Sequence, residues 1–293
     1  MSELLALFNY EFARNALLAA VFASILAGTV GTFVVVKRLV FIAGGISHAA
    51  FAGLGICYWL GMNPLIGAVV VAVLAALLLG WLGETRARSQ DAMIGLLWAG
   101  GMATGIVFIH MTPGYAPNLM AYLFGDILTV SRGDVQLLAA LTVAVLALVA
   151  LFYRSLVAVA FDETFAAVQG VPVRRMTTLL LVLMALSVIM LIQVVGIILL
   201  IALFTIPPLI ALSLARRFLM VLLVAVVAGL VTSTGGLAGS YWLDMPSGPA
   251  IVLFGLALVL LVRGGVWLRD QRRSRQGGGD PAPVSKDAAD SAS

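Results

Sequence analysis

Residues 177–214 read TTLLLVLMALSVIMLIQVVGIILLIALFTIPPLIALSL, an apolar run without a single charged side chain. A helix of about 20 apolar residues spans the hydrocarbon core of a bilayer, so this run is too long for one crossing. We therefore predict two membrane spans, 177–195 and 196–214, separated at the sequence VVG, residues 194–196.

The composition of the whole chain agrees with a membrane protein. Of its 293 residues 62% are hydrophobic and 10% charged, whereas roughly a quarter of the residues in a soluble domain are charged. The apolar runs do not alternate with polar residues, which excludes the strands of a membrane barrel. The single cysteine, Cys57, excludes a disulfide framework. The first apolar run, 17–36, lacks a small-residue cleavage site and is interpreted as a permanent span.

The predicted fold is an all-α polytopic bundle of about nine transmembrane helices within a domain over residues 1–268. The spans are expected near 14–36, 41–62, 64–82, 92–110, 134–152, 177–195, 196–214, 218–236 and 248–266. The polar tail, 269–293, is rich in Gly, Pro, Ser and Asp and is predicted to be disordered and cytoplasmic.

The distribution of positive charge predicts the orientation. If Lys37 and Arg38 face the cytoplasm, alternation of nine spans places every other Lys and Arg there too, except Arg14 and Arg132. This asymmetry is what the positive-inside rule expects, with the N-terminus outside and the C-terminus inside. These loop and tail cations account for the basic pI, so nothing requires nucleic-acid binding.

Two segments between spans carry further signals. The external segment 111–134 has an apolar middle that is too short to cross the membrane and is expected to lie at its interface. The internal loop 153–175 contains an amphipathic stretch, 163–169, that predicts a short helix ended by Gly170 and Pro172.

Few side chains in the spans can bind a cation. His48 lies about 10 Å along the second span from its inner end and can either ligate a metal or donate a hydrogen bond to a neighbouring helix. His110, at the outer end of the fourth span, and Asp126, in the apolar external segment, are weaker metal candidates. Asp126 can also pair with Arg132 or cap a helix.

The sequence lacks the motifs of an enzyme. It contains no GxxxxGK[ST] phosphate loop, so the chain cannot bind ATP in that way, and no GxSxG, HExxH or CxxC. Two histidines and one cysteine cannot build a closed four-ligand zinc site. We expect no catalytic residues and no bound cofactor.

Four stretches together resemble the membrane-subunit family of bacterial ABC importers for zinc, manganese and iron. They read VVKRLVFIAGGISHAAFAGLG (35–55), DAMIGLLWAGGMATGIVFI (91–109), YLFGDIL (122–128) with AVQGVPV (167–173), and VVGIILLIALFTIPPLIA (194–211). The resemblance implies a multi-pass permease of the bacterial plasma membrane that imports a divalent transition metal. It also implies three partners: a second copy of the chain, a separate ATPase subunit and an extracytoplasmic metal-binding protein.

The resemblance also implies roles for particular residues. His48 matches a histidine of the transport pathway, although many members place an aspartate four residues earlier, where this chain has Gly44. An Asp–His pair on one helical face is therefore impossible here. The loop 153–175 matches the ATPase docking element, with Asp162, Glu163, Ala167, Gly170, Val171 and Pro172 as coupling residues.

Three other functions would require different residues. A permease for a metal chelate such as a siderophore would need a wide pore and no histidine ligand. A stand-alone secondary transporter would need buried carboxylates for its coupling ion, and the spans have almost none. An intramembrane enzyme is disfavoured because no nucleophile and base occur in a recognisable pattern.

Overall fold

The computed structural model describes residues 10–83, 90–113, 125 and 129–276, and this part of the chain is helical with no strand. Its helices are α1 (Glu11–Val36), α2 (Val40–Trp59), α3 (Pro64–Gly83), α4 (Gln90–Met111), α5 (Arg132–Leu151), α6 (Tyr153–Phe161), α7 (Glu163–Val168), α8 (Val173–Leu214), α9 (Phe218–Leu243) and α10 (Ser247–Gln276). The predicted all-α membrane bundle is confirmed.

Within the described residues, eight helices are long and apolar enough to cross a membrane, compared with the nine spans predicted. The difference lies in α8, whose 42 residues contain two of the predicted spans. Gly196 interrupts α8 with a φ of 78° and a ψ of 169°, which no helical residue adopts. The predicted break at 194–196 is confirmed, and the count of nine crossings and their orientation stay predictions.

Contacts of α8 show that it folds back at Gly196. At the N-terminal end of α5, Gln193 Nε2 donates to Asp134 Oδ1 at 2.7 Å. Just beyond the end of α8, the ring of Phe218 packs on Phe33 near the C-terminus of α1, with 5.0 Å between ring centroids. The N-terminus of α1 lies at the other end of the bundle, since Asn15 Nδ2 donates to Val130 O just before α5. α8 begins five residues after α7, whose Glu163 bonds to Lys37 at the C-terminus of α1, so its first part starts at the end of the bundle where its second part finishes. The two parts of α8 therefore run in opposite directions.

Glycines let the first helices approach very closely. A Cβ at Gly53 of α2 would lie 2.0 Å from Gly67 O of α3, and a Cβ at Gly101 of α4 would lie 2.5 Å from Ala49 Cα of α2. Real side chains cannot occupy these positions, so the backbones are in direct contact, as small residues permit in membrane bundles. α2 is thus held between α3 and α4.

The C-terminal helix is longer than the sequence indicates. α10 continues to Gln276, seven residues past Arg269, where the polar tail was predicted to begin. Residues 277–293 lie outside the described residues, and their disorder stays a prediction.

Candidate functional site

His48 is buried between α2 and α4. The residue is 8% exposed. Its imidazole ring stacks on the indole of Trp98, with 4.3 Å between the ring centroids and 15° between the ring planes. Trp98 also covers Gly44, since a Cβ at Gly44 would lie 3.7 Å from the indole ring. The indole thus covers the face of α2 on which an aspartate partner of His48 would stand.

The Nδ1 atom of His48 is buried and has no hydrogen-bond partner. A buried polar atom without a partner costs about 1–3 kcal/mol. Within the described residues, Nδ1 makes no bond to a backbone carbonyl of a neighbouring helix, so this nitrogen keeps an unused capacity for a hydrogen bond or a cation.

The structure does not gather the predicted metal residues into one site. His110 is exposed near the C-terminus of α4, twelve residues after Trp98, which is about 18 Å along a helix. Asp126 lies outside the described residues. Across the described chain, no three side chains of His, Cys, Asp or Glu lie close enough together to hold a metal ion.

A cavity of about 130 Å³ opens between α2, α3 and the first part of α8. Its lining is mostly apolar, with three polar side chains, Ser47, Asn63 and Gln193. Ser47 precedes His48, but successive helical residues point about 100° apart, so Ser47 faces the cavity while His48 faces α4. Sequence reasoning missed this cavity because its polar residues come from three separate helices or turns.

The three polar side chains already have partners. Ser47 Oγ donates to Gly44 O at 2.6 Å, and Asn63 Oδ1 accepts from Leu65 N at 3.0 Å. Gln193 is held by Asp134, which also completes a capping box with Ser131 at the start of α5. The cavity therefore presents fixed oxygen atoms without a formal charge of its own.

Two of the quoted motifs meet beside this cavity. Gly125, with a φ of 67°, packs on the break in α8, where a Cβ would lie 2.2 Å from the carbonyl carbon of Val195. Both the close approach and the positive φ require glycine. Gly125 of YLFGDIL and Val195 of VVG are thus in direct contact at the turn of α8.

α7 is the short helix predicted in the loop 153–175, and its existence and ending are confirmed. Asp162 caps it, since its Oδ1 accepts from Phe165 N at 2.9 Å, and Gly170 follows with a φ of 78°. Among the predicted coupling residues, Val171 is half-buried and the others are exposed: Asp162, Glu163, Ala167, Gly170 and Pro172.

The outer face of α7 is apolar. Phe165 is 58% exposed and Val168 83% exposed, whereas Ala166 packs fully against the bundle. An exposed apolar face on a short helix at one end of a bundle is suited to insertion into another protein.

The sequence of the chain is similar to those of known membrane transport proteins. The profile of the ABC 3 transport family matches residues 9–264. The manganese transport system membrane protein MntC of Halalkalibacterium halodurans is 33% identical over 274 residues, covering 92% of this chain and 94% of that protein. An uncharacterized membrane protein of Synechocystis, slr2045, is 39% identical over 245 residues, covering 84% of this chain and 87% of that protein.

A solved structure has the same fold. PsaBC from Streptococcus pneumoniae, determined in complex with Fab, matches with a TM-score of 0.79 and 30% identity. The match covers 87% of this chain and 92% of that one.

Proposed function

The chain belongs to the ABC 3 transport family, and from that premise we propose that it is the permease of an importer for divalent transition-metal ions. It is a multi-pass membrane subunit and not an enzyme, because its named relatives are transport-system membrane proteins. In this proposal the ions cross the bacterial plasma membrane inward, and a separate subunit hydrolyses ATP.

The observation that carries the proposal is the exposed helix α7. The sequence has no phosphate loop, so energy from ATP must arrive through contact with another protein. α7 offers that contact, because Phe165 and Val168 are exposed and Ala166 is the one residue of this helix that is buried against the bundle. The ATPase subunit is the proposed occupant of this surface.

Two further partners follow from the resemblance to metal importers. A second copy of the chain is proposed to complete the pathway, since one chain brings no three candidate ligands together within its described residues. On α4, a Cβ at Gly95 or Gly100 would have no described atom beyond its own helix backbone within 4 Å, which leaves room for a neighbouring helix. An extracytoplasmic metal-binding protein is proposed to deliver the ion.

Manganese is the proposed cargo among zinc, manganese and iron. The MntC relative is named for manganese transport. The three polar side chains in the mostly apolar lining of the cavity beside α8, Ser47, Asn63 and Gln193, carry oxygen atoms, which suit manganese. Cells that carry the complete transporter should take up manganese at lower concentrations than zinc or iron, each metal being supplied alone. Preferential uptake of zinc, or uptake only of a chelated iron, would contradict this choice.

The Gly170→Val variant tests the role of α7. Valine is strained at a φ of 78°, so the end of α7 must change, while open space around Gly170 leaves the bundle undisturbed. We expect metal uptake to fall about tenfold or more while the protein still inserts and ATP is still hydrolysed. Uptake and ATP hydrolysis are measured together in vesicles that contain the whole transporter.

Gly264→Val is the matched control, because a Cβ at Gly264 of α10 also has open space around it in the described part of the chain and its φ is not positive. This control should transport normally. Coupled transport in Gly170→Val at the wild-type rate would contradict the proposed role of α7.

A further inference from the structure

The side chain of Lys37 joins three elements at one end of the bundle. Lys37 caps the C-terminus of α1, and its side chain is only 8% exposed. Its Nζ donates to Val159 O of α6 at 3.2 Å and to Glu163 Oε1 of α7 at 2.5 Å. A buried lysine requires such partners, because an isolated ammonium group is costly to remove from water.

The groups at the corner between α6 and α7 favour a positive charge. Val159 O is one of the last carbonyls of α6, where the helix dipole and the unpaired oxygens favour a positive charge. Glu163 is in the first turn of α7, where a negative charge is favoured. Lys37 lies between the two, so its ammonium group fixes the angle between α6 and α7.

α7 has few other attachments to the bundle. Of its six residues, Ala166 alone is buried. α6, in contrast, is held by Leu156, Val159 and Ala160, which are buried, and by the ring of Phe161 on Phe218. Lys37 therefore supplies the charged connection between α7 and the transmembrane helices.

The other end of this connection is α2. The chain passes from α1 to α2 through a Schellman turn, in which Leu39 N donates to Val34 O at 2.7 Å and Arg38 N to Val35 O at 3.1 Å. Arg38 adopts a φ of 59° in this turn. α2 begins at Val40, and His48 lies about 12 Å further along it. Lys37 is thus joined by a short hydrogen-bonded turn to the helix that bears His48.

We propose that Lys37 is a positioning residue that couples α7 to α2, so that a movement of α7 on the ATPase subunit moves the helix that carries His48. The inference rests on the proposed function, since it takes α7 as the surface that contacts the ATPase. Nothing in the sequence motifs assigns a role to Lys37, because its partner Glu163 is 126 residues away.

The test is the ratio of metal transported to ATP hydrolysed in vesicles that contain the complete transporter and manganese. Lys37→Met keeps the apolar part of the side chain and removes the charge, and Glu163→Gln removes the partner. Each should lower the ratio roughly 2- to 30-fold, the range for a residue that carries coupling between sites. Lys37→Met, whose side chain is buried beneath α7, should leave assembly with the ATPase and basal hydrolysis unchanged.

The double variant should be no worse than the poorer single variant, because both changes remove the same contact. Lys37→Arg should recover most of the ratio, since it restores the charge. Arg38→Met is the matched control, a neighbouring cation without a hydrogen bond from its side chain to α6 or α7, and it should retain the wild-type ratio.

Three results would overturn the inference while the wild-type transporter moves metal. The first is a wild-type ratio of metal transported to ATP hydrolysed in Lys37→Met. The second is a double variant in which the losses of the two single variants multiply. The third is failure of Lys37→Met to assemble while Glu163→Gln has the wild-type ratio. If the wild-type complex hydrolyses ATP but moves no metal, the proposed function fails, and the inference fails with it.

Discussion

Replacing His48 with glutamine is expected to reduce metal uptake about tenfold or more, as loss of a metal contact does, while the transporter still assembles. Glutamine can donate and accept hydrogen bonds, so it preserves a structural role of the imidazole. It has no imidazole, so the variant removes the ring nitrogen that His48 offers to a metal ion. Within the described residues, Nδ1 of His48 has no hydrogen-bond partner, so a loss of uptake in this variant would not come from a broken hydrogen bond of that atom.

His110→Gln is the matched control for this variant. His110 is exposed at the end of α4 and lies far along that helix from Trp98, so uptake should be close to that of the wild type. The measurement is the initial rate of manganese uptake at equal amounts of assembled transporter. A His48→Gln transporter that assembles and moves metal at the wild-type rate would contradict the pathway role of His48.

The second large effect is expected from Gly53→Ala. A Cβ at this position would lie 2.0 Å from Gly67 O and 2.4 Å from Gly67 C, which are backbone atoms that no side-chain rotation can move. α3 must therefore separate from α2, and overpacking of this kind costs about 1–3 kcal/mol or more. We expect a lower thermal unfolding temperature in detergent, with less folded protein recovered from membranes.

Gly264→Ala controls for the change from glycine to alanine in a helix. Among the described residues, nothing outside the backbone of α10 lies within 4 Å of its added Cβ, so the substitution should be neutral or stabilise α10 by up to about 1 kcal/mol. If Gly53→Ala unfolded at the same temperature as this control, the result would contradict the close backbone contact between α2 and α3.

Local signals account for what could be predicted from the sequence. The break at Gly196 follows from a hydrophobic run that exceeds one membrane thickness and contains a glycine near its middle. α7 and its end at Gly170 follow from an amphipathic segment with glycine and proline after it. In both cases the residues that determine the structure are neighbours in the chain.

Long-range contacts account for what could not be predicted from the sequence. Lys37 meets Glu163 across 126 residues, and Gln193 meets Asp134 across 59. No spacing rule predicts such pairs, because they depend on how the helices pack and not on the periodicity of any one helix. The stacking of Trp98 on His48 is of the same kind, so the burial of His48 against α4 was not predicted.

The most direct test of the central claim is manganese accumulation in vesicles that contain this chain, its ATPase subunit and the external metal-binding protein. We predict accumulation against a gradient that requires ATP and stops when the ATPase subunit is omitted or its phosphate loop is inactivated. Accumulation that continues without ATP hydrolysis, driven by an ion gradient alone, would contradict the assignment of this chain as an ATP-coupled permease.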